Sequence, residues 1–283
     1  MLEYPFKIKK PQQEKIREIP YLASSVYSNL EIELTLEFYY KRYVQPLTNF
    51  FDIFQSCLLD CGAGFGWFSY AYLLAGGKYA ILADLDLERL QASLEIGRIL
   101  GVDDKMEIVH ASIQELPYSQ DEIDIMVSIE TLEHVGKKNI QPALCHIRDI
   151  TAKGILLTTP NRLFPSIAHD TRLPFAHWLP KSLRRVYAKA FDREKMDHNN
   201  DFLSPWDLGT LLAKFKPATT CLTFTDHSMF KAHYPFYLPY NTHNKWQQNP
   251  GKLKSSYYLI SSTLLGKYSY WVMPSLARIF VRK

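Results

Sequence analysis

The sequence predicts an open α/β fold: a mostly parallel sheet with helices on both faces. Three observations lead there. A short apolar run, Cys57-Leu58-Leu59-Asp60-Cys61, ends in glycines at alternate positions, Gly62, Gly64 and Gly66. A second run, Lys78–Ala83, ends in Asp84. Further apolar runs then alternate with helical stripes to about residue 160, the rhythm of strand–helix–strand units. Uninterrupted apolar runs are what strands buried on both faces require.

The glycines let the chain turn sharply out of the first strand, because they have no Cβ to collide with a close ligand or backbone. A helix follows, with Phe68, Ala71, Tyr72 and Ala75 on one face and Gly76-Gly77 as its stop. Strand, turn and helix N-terminus make a corner suited to a nucleotide-type ligand. A dinucleotide fingerprint would need a glycine where this chain has Trp67. Asp84 lies eighteen residues beyond Gly66, close to the spacing of about 20 for an acid that accepts from both ribose hydroxyls. Asp86 instead fits the N-cap of a helix with Leu87, Leu90 and Leu94 as its apolar stripe and Gly101 as its end.

The remaining elements follow in order. Residues 1–20 are polar with two early prolines and read as a loose lead-in, within an N-terminal helical segment reaching to about residue 50. Leu34, Phe38, Tyr39 and Tyr43 form a stripe on a helix over 30–43. Met106–Val109 is a third strand and Ile123–Ser128 a fourth. Asn139 can cap a helix carrying Ile140, Ala143, Leu144 and Ile147. Gly154 then stops it, and Ile155–Thr159 is a fifth strand. Ser204 caps and Pro205 opens a helix whose core face is Leu208, Leu211, Leu212 and Phe215. Thr219–Thr225 and Ser275–Val281 complete the strands. Two irregular stretches, 162–203 and 227–273, read as insertions; the first follows the fifth strand, where an open sheet places its ligand crevice.

Gly62-x-Gly64-x-Gly66 behind Leu59-Asp60, with Asp84 one unit later, resembles the first motifs of class I S-adenosylmethionine (SAM) methyltransferases. The run Glu130-Thr131-Leu132-Glu133-His134 after the fourth strand is similar to that of ubiquinone-type O-methyltransferases. The resemblance covers roughly 56–160, and more weakly 200–226 and the last strand. It implies one Rossmann-like methyltransferase domain over 1–283, with a seven-stranded, mostly parallel sheet whose carboxyl-terminal strand is antiparallel, and SAM as cofactor. It also implies cofactor contacts at Asp60, Gly62, Gly64, Gly66, Asp84, Ser112, Ile113, Ile129 and Glu130. Family members often carry an Asp at the position of Ser112; a serine hydroxyl accepts from the adenine amino group more weakly, while the Ile113 N–H needs no particular side chain. Pre-core helices in the family close over the cofactor, which would bring Arg42 to the site.

Methyl transfer from a sulfonium needs an aligned nucleophile and a destination for its proton. Helical spacing would put Glu130, Glu133 and His134 on one face. They can hold a divalent metal, or His134 can act as a metal-free base, its ordinary pKa of about 6.5 suiting that role, or the run can simply hold its loop. His169 and His177 of the first insertion are candidates to complete such a site, though a histidine in an aromatic loop is more often a packing residue. The second insertion is crowded with aromatics, among them Tyr234, Phe236, Tyr237, Tyr240, Trp246, Tyr257 and Tyr258. No basic stripe is interleaved with them, so nucleic acid is not the expected partner. A small-molecule acceptor with an apolar or aromatic part, methylated at oxygen, fits better. A lipid-like acceptor is the related option, with Lys252, Lys254, Lys267, Arg278, Arg282 and Lys283 able to meet anionic head groups. The competing readings are a non-catalytic nucleotide-binding or interaction protein on the same fold, and an RNA 2′-O-methyltransferase. A net charge of +4 over 283 residues does not indicate nucleic-acid binding. Four cysteines without a C-x-x-C pair, no signal-peptide pattern and no long apolar run point to a reduced, cytoplasmic protein, peripheral to a membrane at most.

Overall fold

The computed structural model describes residues 7–165, 170–196, 200–218, 222 and 252–283. Among these, seven strands form one sheet: β1 (Cys57–Cys61), β2 (Tyr79–Asp84), β3 (Met106–His110), β4 (Ile123–Ile129), β5 (Thr151–Thr158), β6 (Phe215–Pro217) and β7 (Arg278–Arg282). Their spatial order is β3-β2-β1-β4-β5-β7-β6. The first five run parallel, and β7 is antiparallel to both β5 and β6. Strand β1 is central, with Leu59 level with Ile81 of β2 and Met126 of β4.

Both faces of the sheet are buried. Leu58, Leu82, Ile125, Val127 and Leu156 belong to one core. Helices α1 (Lys10–Arg17), α2 (Pro20–Ala23), α3 (Ile32–Tyr39), α4 (Gln45–Leu47), α5 (Trp67–Leu74) and α6 (Leu87–Leu100) contribute to it through residues such as Ile16, Leu22, Leu36, Leu47, Tyr70 and Leu90. Leu59, Ile81, Met126, Ile155 and Leu157 belong to the opposite core, closed by α7 (Ile140–Ile150) through Ile140, Leu144 and Ile147. Each such aliphatic side chain contributes roughly 1.5–3 kcal/mol on burial, which is why uninterrupted apolar runs specify these strands. Helices α8 (Lys181–Ala190) and α9 (Lys252–Leu265) belong to the two insertions.

Several local expectations change. Of the lead-in, residues 1–6 lie outside the described residues, and 7–20 are packed rather than loose: Ile8, Ile16 and Ile19 are buried, and Gln12 donates to the Ile99 carbonyl of α6 at 2.8 Å. The helix over 30–43 continues past α3 as a π-helical turn, Tyr40–Val44, and Leu34 on its stripe is exposed. Gly154 does not stop α7 but lies inside β5, because the Phe51 ring fills the space a Cβ would take, 1.9 Å from it. Asn139 leaves the α7 N–H groups alone and donates to the Val135 carbonyl at 2.8 Å. The stretch after Pro205 is a 3-10 helix, Asp207–Ala213, with Leu208 and Leu211 buried, Leu212 exposed and Phe215 already in β6. The sixth strand thus begins before Thr219; of Thr219–Thr225 only Leu222 is among the described residues, and its N–H donates to the Ala277 carbonyl at 3.1 Å. Asp86 caps α6 as its sequence requires, accepting from the Arg89 N–H at 3.0 Å.

Candidate active site

A cavity of about 950 Å³ opens at the carboxyl ends of β1, β2, β4 and β5, at the large end of the usual range for a ligand pocket. The glycine turn forms part of its wall. Gly62 and Gly64 take left-handed φ values of 74° and 58°. A Cβ on Gly62 would lie 2.2 Å from the Thr131 hydroxyl, so no other residue fits between the turn and the loop after β4. The Gly62 and Ala63 N–H groups donate to the Ala83 carbonyl, at 2.8 and 3.1 Å. Asp84 locks onto the same turn: one carboxylate oxygen accepts from the Gly64 N–H at 2.8 Å and the other from the Asp86 N–H at 3.0 Å. Each carboxylate oxygen accepts more than one hydrogen bond, so Asp84 keeps capacity for a pair of ligand hydroxyls.

Of the nine expected cofactor residues, Gly62, Gly64, Asp84, Ile113, Ile129 and Glu130 line this cavity, while Asp60, Gly66 and Ser112 do not. Asp60 is buried beneath the turn, accepting from the Ser69 hydroxyl at 2.8 Å, and burial pushes its carboxyl up to about 7. Gly66 serves packing, since a Cβ there would lie 2.6 Å from Leu82 and 3.0 Å from the Tyr70 ring. The Ser112 hydroxyl donates to Glu115 at 3.1 Å.

Glu130, Glu133 and His134 all reach the cavity wall, but not by lying on one helical face. Glu130 takes a left-handed φ of 53°, and only Leu132–His134 form a 3-10 turn. A non-glycine residue held there marks a position the surroundings over-determine. The turn sends both carboxyl groups back to the end of β5 and just beyond. Thr158 donates to Glu130 and Thr159 to Glu133, each at 3.0 Å. Burial raises the Glu130 carboxyl to about 7, while the Thr158 hydrogen bond and the Arg42 charge oppose the rise. Burial, reinforced by Glu130, raises Glu133 further above the carboxylate range. The half-exposed His134 ring lies with its Nε2 4.0 Å from Glu133. Among the described residues no three His, Cys, Asp or Glu side chains gather in metal-ligating geometry. His177 packs away from the cavity, hydrogen-bonded to the Arg162 carbonyl at 3.0 Å, and burial lowers its pKa. His169 lies outside the described residues.

Sequence reasoning under-read the aromatic wall. Phe38, Tyr39, Arg42 and Tyr43 line the cavity from α3 and its π turn; Arg42 is expected there, whereas Phe38, Tyr39 and Tyr43 read as a packing stripe in the sequence. The π turn itself is the missed signal, since such irregularities collect at functional sites. Trp67, weighed only as a missing glycine, also lines the cavity, and its buried indole N–H meets no acceptor among the described residues. Phe164 and Pro165 enter from the first insertion, and Leu253, Tyr257 and Tyr258 from α9. Phe164 and Tyr257 meet edge to face, 5.7 Å apart, so the two insertions close one wall together. The remaining expectation for the second insertion, residues 227–251 with Tyr237 and Tyr240, lies outside the described residues. Arg278 stacks on the Tyr270 ring, and Arg282 pairs with Asp121 at 2.7 Å, so neither is a free lipid-facing cation. No helix among the described residues is long and apolar enough to cross a membrane.

Residues 59–158 match the family model of the methyltransferase domain. A comparison with curated proteins found no match. Among solved structures, the chain is similar to the geranyl diphosphate C-methyltransferase from Streptomyces coelicolor A3(2), solved with Mg²⁺, geranyl diphosphate and S-adenosyl-L-homocysteine. The two are 11% identical, the match covers 85% of this chain and 77% of that one, and the TM-score is 0.50. It is also similar to the MccD protein, at 12% identity over 88% of this chain and 96% of that one, with a TM-score of 0.47. At these identities the likeness is one of fold.

Proposed function

We propose that the chain is an S-adenosylmethionine-dependent methyltransferase, as the match of residues 59–158 to the methyltransferase domain supports, and that it moves the sulfonium methyl group to an oxygen of a small acceptor with an apolar or aromatic part. The observation that carries this reading is an imidazole, His134, on the wall of a cavity that also holds several aromatic side chains and whose glycine turn is hydrogen-bonded to Asp84. In the proposed step an acceptor hydroxyl gives its proton to His134 as its oxygen attacks the methyl carbon. The new C–O bond forms as the S–C bond breaks, and the electron pair stays on sulfur, which leaves as a neutral thioether. Asp84 holds the ribose and Glu130 faces the cationic half of the cofactor. Asp60 supports the turn from beneath. The Glu-x-x-Glu-His run favours kinship with ubiquinone-type O-methyltransferases. The same reading takes residues 1–283 as one domain, with both insertions walling the acceptor site.

The test is calorimetry with SAM and with its demethylated product, followed by transfer of a labelled methyl group to panels of phenols, carboxylic acids and amines. Labelled ethers or esters are expected. A labelled product bearing its methyl on nitrogen or carbon overturns the oxygen assignment, and absence of SAM binding overturns the site.

A further inference from the structure

Helix α8 sits on the protein the wrong way round for a surface helix. Its buried residues are Arg184 and Ala188, and Arg184 is anchored to the Asn200 carbonyl at 3.2 Å. Its apolar stripe, Leu183, Val186, Tyr187 and Ala190, follows the i, i+3, i+4, i+7 spacing that ordinarily faces a core. Here the stripe turns outward: Leu183 and Val186 are 55% and 66% exposed. The loop before the helix adds Phe175 and Trp178, half-exposed rings 4.8 Å apart, and Phe191 extends the apolar surface at its end. Phe175 is held at a left-handed φ of 60° by a hydrogen bond from its N–H to the Pro165 carbonyl at 2.7 Å, which keeps its ring at the surface. The Trp178 indole N–H is already satisfied by the Arg162 carbonyl, so its exposed part offers apolar surface.

Charge says what this face is built to meet. Helix α8 carries four basic residues and no acid; Arg184 is buried and Lys181 pairs with Asp201 at 3.0 Å. Arg185 and Lys189 are exposed beside the apolar stripe. Aliphatic and aromatic side chains flanked by cations on an amphipathic helix match the boundary between acyl chains and anionic head groups. A second copy of the chain fits worse, because a two-fold contact through this stripe would bring the two basic flanks together. We infer that the α8 face, from Phe175 to Phe191, docks on the surface of an anionic lipid bilayer. The insertion that carries it also walls the cavity through Phe164 and Pro165, so docking would bring that wall to the membrane.

The test is flotation of the full chain with vesicles of phosphatidylcholine alone and of phosphatidylcholine mixed with phosphatidylglycerol. Binding is expected to the mixed vesicles only and should weaken as salt is raised. The double variants Leu183→Ser/Val186→Ser and Arg185→Gln/Lys189→Gln should each lower the bound fraction roughly tenfold or more. SAM affinity, unchanged in both, shows that the variants are folded. Failure of the wild type to float with mixed vesicles overturns the inference, as does undiminished binding by either folded variant. Light scattering that shows a dimer lost in Leu183→Ser/Val186→Ser, without vesicle binding by the wild type, reassigns the stripe to self-association.

Discussion

Glu133 and His134 are chain neighbours with opposite surroundings: the carboxyl group is fully buried, the imidazole is 54% exposed, and the two lie 4.0 Å apart. Burial drives Glu133 toward its neutral form, while its other oxygen is fixed by Thr159. In the proposed reaction His134 meets the acceptor and Glu133 limits the positions its ring can take.

His134→Ala should slow methyl transfer by roughly 10²–10⁴-fold, the usual range for a positioned base, with SAM affinity nearly unchanged. Glu133→Gln preserves an acceptor for Thr159 and should cost less than about tenfold. Steady-state rates with and without a chelator complete the experiment. Loss of activity on chelation, restored by Mn²⁺, together with an equally damaging Glu133→Gln, would replace the base with a metal site.

Asp84→Ala should weaken SAM binding by about 1.5–3 kcal/mol, the scale of hydrogen bonds to a charged group. Because Asp84 also holds the Gly64 and Asp86 N–H groups, Asp84→Asn is the companion variant, retaining the shape and one acceptor. Calorimetry should rank the wild type tightest, Asn intermediate and Ala weakest. Equal affinity across folded variants would remove this acid from the site.

Glu130 should release a proton when SAM binds. Its carboxyl, raised to about 7 by burial, is partly protonated near neutral pH in the free protein. An adjacent cationic sulfonium favours the ionised form and lowers that pKa. Binding near neutral pH therefore expels a fraction of a proton, and affinity rises with pH through this range. Binding enthalpies in buffers of different ionisation heat measure the release directly. It should vanish in Glu130→Gln, and a release of the same size in that variant would assign the proton elsewhere.

Leu253, 88% exposed yet lining the cavity, stands at its mouth on α9. Leu253→Asp should raise the acceptor KM roughly tenfold or more, as expected when a charge meets an apolar contact, and leave SAM affinity alone. An unchanged KM for an established acceptor would place acceptor entry away from α9.

The geometry of the glycine corner was legible in the chain because its determinants are local. A glycine needed at positive φ, an acid at a strand end and a capping Asp86 each act within a few residues. The same holds for the existence of the strands up to β5, marked by the apolar runs that both faces of a parallel sheet require. Spacing could not say which acids face the ligand. Asp60 is the penultimate residue of β1 and Asp84 the last of β2, yet Ser69 draws Asp60 under the turn while Gly64 draws Asp84 onto it. Helical spacing also misplaced Glu130, Glu133 and His134, because the left-handed Glu130 breaks the turn and the carboxyl groups answer to Thr158 and Thr159 of a different segment. Gly154 reads as a helix stop until Phe51, more than a hundred residues earlier, is seen to fill its missing side chain. An amphipathic pattern likewise shows that α8 has an apolar face; only tertiary contact, through Arg184 and Ala188, decides that this face points to solvent. Backbone conformation and burial are settled by partners distant in the chain, and no local pattern carries the identity of those partners.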